Sequence, residues 1–172
     1  MGTKQKKTVI RTVRVTKELN EILVKDANLK GTNLNAFISS ILTKYAEWGR
    51  FIDKIGVFTL SRATFGRLLD ASSDEAIIEA ARLTDTPKAV MLAKHGALSL
   101  RAILDFIRAA AAYGGYAEYN EVEEQGKLVI TIMHNLGRKG SLYLSNILES
   151  MFANIDCHPK ISSSEHSILI EI

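Results

Sequence analysis

The sequence has a single cysteine, Cys157, among its 172 residues. An internal disulfide is therefore excluded, and one thiol is too few for a zinc site built from paired CxxC motifs. No stretch approaches the ~18 consecutive apolar residues that a membrane span needs, and residues 1–7 are too polar for a signal-peptide core. We therefore expect a cytoplasmic protein that has no membrane partner and is stabilised by packing alone.

The charged residues are unevenly distributed along the chain. Residues 1–50 contain ten Lys or Arg against four Asp or Glu, a net charge of +6, whereas residues 51–172 contain twelve against fifteen, a net charge of −3. Residues 1–17 contain six basic residues and no acidic one. Such a cluster is typical of a surface that contacts a polyanion, and it also occurs in solvated tails that only increase solubility.

The first 50 residues predict one strand followed by two helices. The segment TVIRTVRV, residues 8–15, alternates in the way that is typical of a strand. Thr16 is suited to cap a helix that ends at Gly31, and Asn33 is suited to cap a second helix that reaches about Phe51. A lone strand leaves both of its edges unpaired, so we expect a second copy of the chain to pair with it antiparallel about a two-fold axis.

The same segment resembles a known family of DNA-binding domains. The run RTVRVTKELNEILVKDANLKGTNLNAFISSILTKYAEW combines a basic alternating strand, a V-R-V-T-K-E-L start to the first helix, a glycine turn and an Asn-capped second helix. It is similar to the ribbon-helix-helix domains of the Arc/MetJ/CopG type, over residues 8–50. The resemblance implies an intertwined homodimer whose two-stranded ribbon enters the major groove of double-stranded DNA.

Residues of one parity along the strand are expected to face the DNA bases, and these are Ile10, Thr12 and Arg14. An arginine suits a bidentate contact to guanine, a threonine suits several bases, and an isoleucine offers apolar contact only. Arg11 has the opposite, inward parity, where many relatives carry an apolar residue, so we expect it to turn outward to a phosphate.

Phosphate contacts are also expected at the start of the second helix, where free backbone N–H groups and the positive end of the helix dipole favour an anion. The basic N-terminal arm adds attraction that weakens with salt. The residues expected to contact phosphates are Lys6, Lys7, Arg11, Asn33, Leu34 and Asn35.

A second domain, residues 53–172, is predicted to follow an N-terminal domain of residues 1–52. The pattern indicates a strand over 56–61, four helices between residues 63 and 113, a hairpin formed by YAEYNEVEE and KLVITIMH, a helix from Ser141 to about Ile155, and a final strand in SILIEI. The chain is therefore predicted to be α+β, with a ribbon-helix-helix joined to a C-terminal domain of helices packed on a small, mainly antiparallel sheet.

The most distinctive run of the second domain is HNLGRKGS, residues 134–141. Two glycines, two basic side chains and a serine that opens a helix would suit a small anionic effector. A strand-to-helix turn needs glycines and a helix cap for geometric reasons alone, and a purely structural role is the interpretation that we favour. The residues of the effector site would be His134, Asn135, Arg138, Lys139 and Ser141.

Metal-dependent and catalytic functions have less support. Nickel-responsive repressors join a ribbon-helix-helix to a His/Cys domain, but their close-packed array of histidines before a cysteine is missing, and we predict no metal site. No triad-like or cofactor-binding motif is present, so we expect neither an enzyme nor a cofactor. The residues that a metal would have to use are His134, Cys157, His158 and His166.

We therefore expect a sequence-specific transcriptional regulator that binds operator DNA, for example as a repressor, and acts as a homodimer or as a tetramer of paired dimers. Residues 53–172 would serve oligomerisation, effector sensing or both. The alternative is an antitoxin-like or plasmid-partition adaptor whose C-terminal domain binds a protein partner. Antitoxin tails are commonly short and disordered until bound, whereas this domain has its own predicted core.

Overall fold

The computed structural model describes residues 8–124 and 126–172. Contacts between residues divide the chain into two compact units, one that ends at Thr43 and a second, Lys44–Ile172. Residues 45–52, which we predict from sequence as the end of the N-terminal domain, pack within the second unit. There the Trp48 ring lies 5.8 Å from the ring of Phe106, and Phe51 is buried.

The first unit consists of an extended segment and two capped helices. Residues 8–16 are exposed, and they are neither helical nor paired with another strand of the described chain. Helix α1 (Lys17–Leu29) begins after Thr16, whose hydroxyl accepts a hydrogen bond from the Leu19 N–H at 3.2 Å. Gly31 follows the helix with φ +63°, in the left-handed region that favours glycine. The predicted cap and the glycine end are confirmed.

Helix α2 (Leu34–Lys44) begins after Asn33, whose side chain accepts from the Ala36 N–H at 2.9 Å. The helical run continues beyond α2 through a π-helical turn, Tyr45–Gly49, and a short helix α3 (Arg50–Ile52). The predicted cap and the predicted end near Phe51 are therefore confirmed.

Four helices follow in the second unit: α4 (Arg62–Ala71), α5 (Asp74–Arg82), α6 (Thr86–His95) and α7 (Leu100–Gly114). A serine caps three of them by accepting a bond from a backbone N–H three residues ahead. Helix α6 instead begins at Thr86, one residue before Pro87, whose missing N–H costs nothing in a first turn.

The strand predicted over residues 56–61 is wrong. Residues 57–61 are neither helical nor part of the sheet, and Phe58 is 82% exposed. The pattern misleads because Val57, Phe58 and Leu60 line a cavity instead of pairing with another strand.

The sheet has four antiparallel strands in the order β1-β2-β4-β3, so the second unit is α+β. Strands β1 (Ala117–Glu124) and β2 (Lys127–His134) form the predicted hairpin, with Glu124 opposite Lys127. A single last strand was expected, but β3 (Lys160–Ser163) and β4 (Ser167–Glu171) form a second hairpin. The KISS sequence of β3 is short and mostly exposed, so it has little hydrophobic signal.

The core lies between one face of this sheet and the helices. Ile130 and Ile132 of β2 and Ile168 and Ile170 of β4 are at most 5% exposed, and they belong to one cluster with buried residues of α7 and of α8 (Gly137–Ala153). The members of the cluster from these four elements are Ala102, Ile103, Ile107, Ile130, Ile132, Leu148, Met151, Phe152, Ile168 and Ile170. Over the described residues, no helix combines the length and apolar character needed to cross a membrane.

Helix α8 starts four residues earlier than predicted, at Gly137 instead of Ser141. Gly137 has φ +69°, which completes the turn from β2 into the helix. Gly140 is required for packing, because an added Cβ would lie 2.1 Å from the Cβ of Leu136.

We expect Gly140→Ala to lower the free energy of unfolding by about 1–3 kcal/mol, since the backbone must shift to accept the methyl group. Gly66 in α4 is the matched control, because an added Cβ there meets nothing within 4 Å. Gly66→Ala should raise the free energy of unfolding by about 0.5–1 kcal/mol, the usual gain in a helix interior. Urea unfolding measures both, and equal stabilities of the two variants would contradict the packing role of Gly140.

Candidate functional site

The segment predicted to contact DNA bases is accessible in the described structure. Ile10 is 92% exposed, and Thr12, Arg14 and Arg11 are exposed as well. Within residues 8–43, the ion pair that the structure describes joins Lys17 to Glu21 at 3.9 Å. The positive charges of the two arginines are therefore not neutralised by this part of the chain. The predicted phosphate contacts Lys6 and Lys7 lie outside the described residues.

The apolar side chains of the first unit are also exposed. Of its described hydrophobic residues, Ala27 and Phe37 are buried. A set of residues on the extended segment and on both helices exposes more than 40% of each residue: Val9, Val13, Val15, Leu19, Ile22, Ile41 and Leu42. With so few apolar side chains buried, the described unit has almost no core of its own. Amphipathic helices need their apolar faces packed against another part of the protein or a partner to be stable.

The start of α2 has the geometry of an anion-binding helix terminus. The first backbone hydrogen bond runs from the Phe37 N–H to the Asn33 carbonyl at 2.9 Å, and the Asn33 side chain occupies the Ala36 N–H. The N–H groups of Leu34 and Asn35 have no partner within the helix, as is general for a first turn. They can bind a phosphate oxygen while Asn33 keeps its capping role.

The structure places His134 and Ser141 together in the interior of the second unit. His134 is 3% exposed, and its Nδ1 accepts from the Leu136 N–H at 3.3 Å. The proton therefore belongs on Nε2, which donates to the Ser141 hydroxyl at 2.9 Å, and that hydroxyl donates to the Ser164 carbonyl at 2.6 Å. A serine bonded in this direction is not activated as a nucleophile.

The other predicted effector residues belong to the turn between β2 and α8. Asn135 is exposed, and Arg138 forms a bidentate ion pair with Asp74 at 2.9–3.0 Å. This bond lowers the pKa of the Asp74 carboxyl. Lys139 donates to the carbonyl oxygens of Asp70, at 2.9 Å, and Ser72. The two basic groups thus join the start of α8 to the α4–α5 connection, an arrangement that favours the structural interpretation of the run.

The residues considered for a metal are spread over three turns of the second unit. His158 lies 3.4 Å from Asp156, Cys157 is half-buried, and the carbonyl of His166 accepts from the His134 N–H at 2.8 Å. Among residues 8–124 and 126–172, no three His, Cys, Asp or Glu side chains are grouped closely enough to hold a metal ion.

A polar cluster in the second unit was not predicted from sequence. Lys94 lies between Glu47, at 2.6 Å, and Asp105, at 2.8 Å, and Asp105 also contacts His95 at 2.9 Å. Hydrogen bonds from Lys94 and His95 outweigh burial and lower the pKa of Asp105. Glu47 is far in sequence from Lys94 and Asp105, so no local motif indicates the cluster. The cluster joins the π-helical turn to α6 and α7.

Burial of His134 predicts a pH-dependent stability. Burial, aided by nearby His166, lowers the pKa of the His134 imidazole below its ordinary 6.5. The unfolded chain then binds a proton at a higher pH than the folded chain, so stability falls as the pH drops below about 6.5 towards the folded pKa. His134→Gln should flatten this decline, although it lowers stability at neutral pH. His158→Gln is the control, because His158 is exposed, and this variant should show the same decline of stability at low pH as the parent protein. Thermal unfolding between pH 5 and 8 measures both, and a decline unchanged by His134→Gln would contradict this assignment.

Comparison of the chain with protein-family models and with curated proteins finds no match.

Proposed function

We propose that the protein is a sequence-specific DNA-binding regulator that acts as a homodimer through a ribbon-helix-helix formed by residues 8–50. The observation that carries this proposal is the exposed apolar surface of the first unit. Ten large aliphatic residues of the described segment 8–43 are exposed, while two hydrophobic residues are buried. A second copy of the same segment would cover these faces, since the helix pairs of two chains can interlock.

The unpaired segment 8–15 supports the same arrangement. Its backbone N–H and C=O groups need partners once the segment leaves water, and an antiparallel second copy offers a complete set. Pairing would place Val9, Val13 and Val15 on the face that covers the helices. The alternate residues Ile10, Thr12 and Arg14 would then form the outer face of the ribbon.

The outer face has the chemistry for reading the major groove. Arg14 carries a fork of donors that fits guanine, and Thr12 adds a hydroxyl and a methyl group. The free N–H groups of Leu34 and Asn35 would bind the DNA backbone on either side of the ribbon, together with Arg11. The second unit, which has its own buried core, would serve oligomerisation or effector sensing. This buried core distinguishes the second unit from an antitoxin tail that folds only on its protein partner. The alternative function, an adaptor whose C-terminal domain binds a protein partner, stays a prediction.

Sedimentation and DNA titration of the full-length protein test the proposal together. Sedimentation equilibrium at micromolar concentration should give at least twice the chain mass of 19.0 kDa. Fluorescence anisotropy with a random-sequence duplex should show binding that weakens steeply as salt rises, because displaced counterions dominate nonspecific affinity. A monomer that stays folded over residues 8–43, or an absence of DNA binding at low salt, would contradict the proposal.

A further inference from the structure

The second unit contains a partly open cavity of about 650 Å³. Its walls come from residues of α4, α7, β2 and α8, from the π-helical turn, and from segment 57–60. Residues such as Phe106, Ile132, Leu148 and Met151 make most of the lining apolar. Cavities of about 300–1,000 Å³ with apolar walls and a few polar groups are typical of small-molecule sites.

Helix α7 leaves this space open because it presents small residues to it. Ala110, Ala111 and Gly114 all line the cavity. At Gly114 an added Cβ would lie 2.9 Å from the Tyr116 ring and 3.9 Å from the Trp48 ring. Both rings lie close to Gly114 and line the cavity, as do the rings of Phe65 and Phe106, and such a lining favours an aromatic ligand.

The uncharged polar groups of the lining include the phenols of Tyr116 and Tyr143 and the hydroxyls of threonines such as Thr84 and Thr86. Burial raises the pKa of Tyr116 to about 12, with a further contribution from nearby Tyr143, whose own pKa burial also raises. None of the described hydrogen bonds involves the Tyr116 hydroxyl, and none contributes to its pKa. Tyr116 is partly exposed, and its hydroxyl is not among the buried side-chain atoms that lack a partner, so solvent reaches this hydroxyl and a ligand can bond to it in place of water.

Charge is confined to the outside of the cavity. Its charged lining residues, Lys44 and Arg62, are both exposed. A charged ligand would lose its hydration in the interior without gaining an opposite charge there. The lining thus favours an uncharged ligand.

We propose that this cavity binds a small, uncharged aromatic molecule that carries a hydroxyl or carbonyl group, held by a hydrogen bond to the Tyr116 hydroxyl. The bound ring lies between apolar side chains of α7, β2 and α8 and close to Trp48. The cavity shares Leu136 with the run 134–141, but none of the polar residues considered there for an anionic effector lines it, and the proposal does not depend on whether the protein binds DNA.

The test uses 2-naphthol and naphthalene, which differ by one hydroxyl, with the full-length protein. Trp48 is the single tryptophan of the chain, so quenching of its emission reports occupancy, and calorimetry measures affinity. Both probes should bind, 2-naphthol more tightly. Tyr116→Phe should weaken 2-naphthol binding about 3- to 10-fold, the range of one buried hydrogen bond, and should leave naphthalene within about two-fold.

Tyr45→Phe is the matched control, since Tyr45 is exposed and does not line the cavity, and it should change neither affinity. Failure of both probes to bind would overturn the site. An equal effect of Tyr116→Phe on the affinities of the two probes would overturn the proposed hydrogen bond between the Tyr116 hydroxyl and the ligand. Tighter binding of 2-naphthoate than of 2-naphthol, lost in Arg62→Gln, would overturn the uncharged class of ligand.

Discussion

Replacement of Val13 by aspartate is expected to dissociate the protein into monomers and to unfold residues 8–43. Val13 is 76% exposed in the described chain, so a charge there would be nearly harmless to a monomer. In the proposed dimer the side chain lies between the ribbon and the helices. An unpaired buried carboxylate costs about 3–5 kcal/mol, and the dimer would hold two. The dissociation constant should therefore rise more than about 100-fold.

Ile10→Asp is the matched control for this experiment. Ile10 lies on the same segment and is even more exposed, yet the alternation places it on the outer face of the ribbon. This variant should remain a dimer and should lose DNA binding, because the new carboxylate faces the bases and phosphates. Sedimentation measures dimerisation, circular dichroism measures folding, and fluorescence anisotropy measures DNA binding. If both variants dissociate, or neither does, the assignment of inward and outward residues is wrong.

Loss of Arg14 is expected to relax sequence preference. Arg14→Ala should cost about 1–3 kcal/mol on a preferred duplex, the value of a bidentate contact to guanine, and much less on random DNA. Arg11→Ala removes the same charge from the same segment. It should weaken binding to all duplexes by a similar factor, since a phosphate contact carries no sequence information.

Competition titrations at several salt concentrations separate the two arginines. Each variant should show a smaller salt dependence than the parent, because each releases fewer counterions. The ratio of specific to random affinity should fall for Arg14→Ala and stay constant for Arg11→Ala. A constant ratio for both variants would show that neither arginine reads a base.

The elements that sequence predicts well are those with local physical signals. Thr16 and Asn33 cap helices where their side chains predict caps, and the β1–β2 hairpin follows from two alternating runs around a short turn. The start of α8 was misplaced because Ser141 resembles a cap. Its hydroxyl instead bonds to His134 and to the Ser164 carbonyl. Those partners lie 7 and 23 residues away, beyond the reach of a local pattern.

The DNA-binding function that we propose can be argued from sequence because it depends on neighbouring residues. The basic alternating segment and the Asn33 cap are adjacent features, so the proposed DNA-binding surface can be recognised from the order of residues. The cavity cannot, because Trp48, Tyr116 and Met151 come from distant parts of the chain. The partners of Arg138 and Lys139 in α4 and α5 are likewise invisible until the fold brings them together.

Selection of duplexes from a random-sequence pool by the full-length protein tests the central claim most directly. A two-fold symmetric ribbon presents the same side chains to two half-sites, so the enriched duplexes should share a short inverted repeat. Arg14→Ala should lose a guanine preference at one position of each half-site. A selected pool that is indistinguishable from the starting pool would contradict a sequence-specific regulator.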